Sequence, residues 1–130
     1  MAENKELENI AKRIIQNANV TDPKCGSVIL VLTVISVILS LVRVIQECNK
    51  KETSSLSSSQ EKTTVYQSEI KSLSVRRGWF TKMRIKKLLK KELSSEDFEK
   101  YGLSLVDSII TAGENITAED TQTLIGAANV

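Results

Sequence analysis

Two thiols, three carboxylates close together near the C-terminus and a cluster of cations are the side chains of this chain with the most chemical capacity. Cys25 and Cys48 are its only cysteines. The run between them reads as one helix, whose rise of about 1.5 Å per residue sets them roughly 35 Å apart, too far for a disulfide. A bridge to another chain, or lipidation of whichever cysteine faces the cytoplasm, stays open. Glu114, Glu119 and Asp120 could hold a cation, but the Ca²⁺-loop pattern of alternating carboxylates around a fixed glycine is absent. Helix capping accounts for these acids. Histidine is missing altogether, which removes the commonest general base and the commonest zinc ligand. Serines are left without that base to activate them. No pair of titratable groups stands out as an acid and a base, so the expectation is a non-enzymatic protein with no metal and no cofactor.

Positive charge gathers in VRRGWFTKMRIKKLLKKEL, as Arg76, Arg77, Lys82, Arg84, Lys86, Lys87, Lys90 and Lys91. From about Thr81 onward, helical spacing puts Ile85, Leu88, Leu89 and Leu93 on one face and Arg84, Lys87 and Lys91 on the opposite one. Trp79 and Phe80 stand just ahead. A basic face, an apolar face and an adjoining tryptophan read as a helix lying on an anionic membrane surface, where each basic residue near the headgroups contributes roughly 1 kcal/mol. The competing reading is a solvated basic face whose leucines pack on the following helices. Single-stranded nucleic acid needs aromatic platforms as well as cations, and Trp79, Phe80 and Tyr101 are few. After Lys100 there is no lysine or arginine, while Asp107, Glu114, Glu119 and Asp120 are negative, which does not suit a DNA-reading helix-turn-helix. Nucleic acid is disfavoured, and no small-molecule substrate is indicated.

The element that must position all of this is CGSVILVLTVISVILSLVRVIQEC. From Cys25 to Val42 no charge interrupts it. It is too long for one buried strand, which usually takes 4 to 8 residues, and just long enough to cross a hydrocarbon core of about 30 Å if Arg43 snorkels to the headgroups. Wound as a helix it lines up Gly26, Thr33, Ser36, Ser40, Arg43 and Glu47 in one narrow seam, with Val, Ile or Leu in every other direction. Small and hydroxylated residues in such a line serve close helix association in membranes. A helix apolar nearly all round needs apolar surroundings, and two further short amphipathic helices offer few, so lipid or sister copies are expected to supply them.

The rest of the chain divides around that run. In residues 1–22, Leu7, Ile10, Ala11, Ile14, Ile15 and Ala18 mark one face of a short amphipathic helix, ended by Asp22-Pro23. Residues 49–75, rich in Ser and Thr and without a sustained period, read as a flexible linker. Residues 76–130 read as the basic helix plus an acidic αα-hairpin. There Ser94 or Ser95 caps a helix whose face is Phe98, Tyr101, Leu105, Val106, Ile109 and Ile110, ended at Ala112-Gly113. Thr117 caps the next, with Asp120 at the reciprocal capping position, Ile116 as a staple, and Leu124 and Ile125 pointing inward. Locally, AGENITAEDTQTLIGAANV resembles the helix-turn-helix end of acidic ribosomal stalk proteins; the long acidic extension of that family is missing, and no role is carried over.

At 130 residues with a net charge of +2, the chain is expected to be all-α: one long hydrophobic helix over 25–48, serving as a single membrane span, a short N-terminal amphipathic helix and a small C-terminal three-helix unit. The function expected is that of a membrane anchor or interaction protein, oligomeric through its hydrophobic helix, with the lipid bilayer or other copies as partners. Lys24 before the run, against Arg43, Lys50 and Lys51 after it, leans the C-terminal part toward the cytoplasm. The alternative is a structural subunit of a large assembly such as a virion, with the same helix buried against other subunits.

Overall fold

Helical periodicity, hidden in polar residues along one helix, builds nearly all of the described part of the chain. A computed structural model describes residues 2–18, 28–48, 59–76 and 78–128. Within them run α1 (Ala2–Asn17), α2 (Val28–Cys48), α3 (Ser59–Arg76), α4 (Gly78–Glu92), α5 (Ser95–Glu114) and α6 (Ala118–Ala128), with no strand. The protein is all-α. Most of its buried apolar side chains, from Leu7 in α1 to Ala128 in α6, join into one core cluster.

The inward face of α1 is the one its spacing predicts: Leu7, Ile10, Ala11, Ile14, Ile15 and Ala18 are all buried. The helix ends at Asn17, where the Ala18 N–H still donates to the carbonyls of Ile14 and Ile15 at 3.1 and 3.2 Å. The expected stop at Asp22-Pro23 lies outside the described residues.

The central helix is α2, which packs against α1, α3, α4 and α6. Leu30, Val31, Val34, Val37, Ile38, Val42 and Ile45 are buried. The expectation that the chain has too little else to cover this helix is corrected for one side of it. One side of α2 is housed by the protein's own helices, and 44% of the stretch Leu30–Glu47 is buried within the fold.

Part of that cover, after α1, α6 and α4, comes from a helix the composition conceals. The second half of the Ser/Thr-rich stretch, read as linker over 49–75, is α3; residues 49–58 lie outside the described part. Thr63 and Tyr66 are buried and Gln67 and Ile70 half-buried, at the i, i+3, i+4, i+7 spacing of one helix face. Two of those four positions are polar, so an apolar period cannot reveal them. Gln67 uses its position to donate through Nε2 to the Ile116 carbonyl at 3.0 Å, tying α3 to the turn between α5 and α6.

The C-terminal hairpin follows its capping residues. Ser94 caps α5, its Oγ accepting from the Asp97 N–H at 3.2 Å. Tyr101, Leu105, Val106, Ile109 and Ile110 are buried and Phe98 half-buried. The helix runs past Gly113 to Glu114 and stops at Asn115, whose N–H makes the last helical bond to the Thr111 carbonyl at 3.1 Å while its Nδ2 donates to the same oxygen at 3.0 Å. Thr117 Oγ1 accepts from the Asp120 N–H at 3.1 Å, as predicted. The Asp120 carboxylate does not return to Thr117, however; it reaches across to Arg13 of α1 at 2.9 Å. Ile116 is buried in the turn, Leu124 is buried and Ile125 half-buried.

Candidate functional site

Six of the predicted surface-binding cations have described side chains, all on α4, and all are exposed: Lys82, Arg84, Lys86, Lys87, Lys90 and Lys91. Arg76 closes α3 and Trp79 stands in the first turn of α4, their side chains outside the described residues, as is the whole of Arg77. The apolar face proposed to lie on a membrane does something else. Ile85 and Leu89 are fully enclosed and Leu93 is buried, with Leu88 half-buried. These side chains anchor α4 to α5 and α2, so they are not available to lipid while the bundle is folded.

Two other large apolar side chains of α4 take the outer position. Phe80 is 68% exposed and Met83 49%. At 100° per residue both fall on the side opposite Ile85, in company with Lys87, Lys90 and Lys91. Lys90 is partly committed to the hairpin, its Nζ lying 5.3 Å from the centroid of the Phe98 ring, a cation–π distance. Among the described residues, none of the α4 cations pairs with a carboxylate. The outer face of α4 is thus a strip of uncompensated positive charge with two apolar side chains set into it. Phe80 was legible as a neighbour of the cluster. Met83 was not, since a single methionine between charges carries no periodic signal.

The seam on α2 is split by burial. Thr33 is buried, Ser36 and Ser40 are half-buried and Arg43 is exposed, while Gly26 lies outside the described residues. The Ser40 hydroxyl donates to the Ser36 carbonyl one turn back at 2.9 Å, a local bond that needs no partner helix. The outermost line of α2 is Leu32, Ser36, Leu39, Arg43 and Glu47, of which Leu32 is 57% exposed. The polar seam therefore lies largely toward the outside of the bundle, beside a few apolar side chains.

The three C-terminal acids do not converge. Glu114 and Glu119 are exposed and Asp120 is engaged by Arg13; no group of three or more His, Cys, Asp or Glu side chains comes together among the described residues. One described helix is long and apolar enough to cross a membrane, over Leu30–Glu47.

No protein-family model matches the chain, and no curated protein or solved structure is found similar to it. The likeness of the C-terminal stretch to stalk proteins stays a local one.

Proposed function

We propose that the chain is a non-enzymatic, membrane-associated interaction protein that docks on anionic bilayer surfaces through the outer face of α4. The observation carrying this reading is the pairing of exposed cations, without a carboxylate partner among the described residues, with exposed Phe80 and Met83 on a helix whose Ile85 and Leu89 are already spent in the core. Lysine and arginine near headgroups draw the helix to negative lipid, and a ring or thioether at the same level inserts below them. The cytoplasmic leaflet, which carries the anionic lipids, is the side this face fits.

Vesicle flotation tests it. The wild-type protein is expected to float with phosphatidylserine-containing vesicles and not with phosphatidylcholine alone, and to be released by high salt, since screening shortens the reach of surface charge. Exchanging Lys87 and Lys91 for Glu abolishes flotation; Phe80→Ser with Met83→Ser weakens it and leaves the helical content unchanged. Equal flotation with both vesicle types would refute the reading.

A second reading, in which α2 spans the bilayer, is favoured by its length: 21 residues extend about 31 Å. It requires the bundle to open, because α1 lies along α2 with Lys5, Glu6, Glu8, Lys12 and Arg13 exposed, and such charges do not enter hydrocarbon beside it. Retention in the membrane pellet after carbonate washing distinguishes this reading from surface docking.

A further inference from the structure

The core of the bundle is not filled. α2 and α5 face each other with little direct packing, and between them lies a cavity of about 220 Å³. All six helices contribute to its wall. Ile38, Val42, Ile85, Ile109 and Leu124 are among the aliphatic residues lining it, and no aromatic ring does. Most of its polar side chains are exposed and so mark its open side, with Thr81 half-buried. Arg13, Asn17, Thr111 and Asn115 line the cavity and are exposed, and Arg13 pairs at 2.9 Å with Asp120, another lining residue, with side-chain exposures of 56% and 21%.

We propose that this cavity binds a linear aliphatic chain, held inside by dispersion and burial, with a polar headgroup at the mouth beside Arg13. Water is a poor occupant. It needs two to four polar partners, and among the described residues no buried side-chain nitrogen or oxygen is left without a hydrogen bond. On the scale of an enclosed apolar cavity of about 150 Å³ that accepts benzene, this volume has room for roughly nine carbon atoms. A wall of branched aliphatics without a ring offers a planar guest nothing to stack on, whereas a flexible chain can follow its contour. At the mouth, the guanidinium carries five N–H donors and its bond to Asp120 is made through one nitrogen, leaving donors for a headgroup oxygen. This site is separate from the outer face of α4 and does not depend on it.

Calorimetric titration of the intact chain with butanol, hexanol, octanol and decanol tests the assignment. Each added methylene is expected to tighten binding about fourfold, and the gain stops near octanol, where the cavity is full. Val42→Phe, which places a ring in the cavity, abolishes octanol binding in a protein that keeps its helical circular dichroism. Arg13→Ala weakens octanoate more than octanol. Phosphatidylcholine vesicles added as competitor separate two sources of the same chain: displacement of octanol assigns it to a bilayer lipid, and persistence to a free amphiphile. Affinity independent of chain length in the wild-type protein overturns the proposal, whether or not Val42→Phe folds; so does octanol binding by folded Val42→Phe equal to that of wild type.

Discussion

At the scale of single residues, the described ends of the C-terminal helices rest on a few short-range bonds. Thr117 is exposed, yet its Oγ1 satisfies the Asp120 N–H and its carbonyl accepts the hydroxyl of fully enclosed Thr121 at 2.8 Å. Thr117→Ala removes only the cap, so urea unfolding is expected to show a loss of about 1 kcal/mol. Gly102 behaves differently from most helical glycines, where alanine would gain up to about 1 kcal/mol. A Cβ at Gly102 would come within 2.9 Å of ring carbons of Phe98, so the ring must swing away and leave its place under Lys90. Gly102→Ala is therefore expected to destabilise, by about 1 kcal/mol, the low end of overpacking because Phe98 is only half-buried. A rise in stability would show that the ring moves freely. The caps at Ser94 and Thr117 were legible in the sequence, since hydroxyls stand directly before helical patterns. The pairing of Asp120 with Arg13 was not, because nothing local tells a carboxylate to leave its own helix end for one that arrives from more than a hundred residues away.

At the scale of elements, α1 and α4 to α6 were readable because their buried faces are apolar and periodic. α3 was not readable, because Thr63 and Gln67 occupy half of its inward line and the composition around them imitates a tether. α3 also adds to the cover that α1, α6 and α4 give one side of α2, the most apolar helix of the chain. The division of labour on α4 makes a sharp test. Leu89 is fully enclosed, so Leu89→Ala is expected to lower stability by about 3 kcal/mol, within the range for large-to-small core changes, while the protein that remains folded still floats with anionic vesicles. If instead Leu89→Ala impaired flotation and left the urea midpoint unchanged, the leucine face, and not Phe80 with Met83, would be the one that meets lipid.

At the scale of the whole molecule, the apparent contradiction between a segment suited to a membrane and a chain that is more than a quarter charged is resolved by assembly. Four helices, α1, α3, α4 and α6, pack on one side of α2, most described charges turn outward, and the polar seam of α2 lies largely toward the outside of the bundle. The composition averages gave no hint of this, since they describe neither which residues are adjacent in space nor how incompletely α2 and α5 close on each other. A single core implies cooperative behaviour, with α2 opening only when most of the bundle does. Amide hydrogen exchange along residues 30–45, followed in detergent-free buffer with and without anionic vesicles, is the most direct test of that claim. The account predicts that these amides are among the slowest in the protein under both conditions, opening with the free energy of global unfolding. Rapid exchange in buffer that becomes protected only when vesicles are added would contradict it, for then the bilayer, and not the bundle, would be the housing of α2.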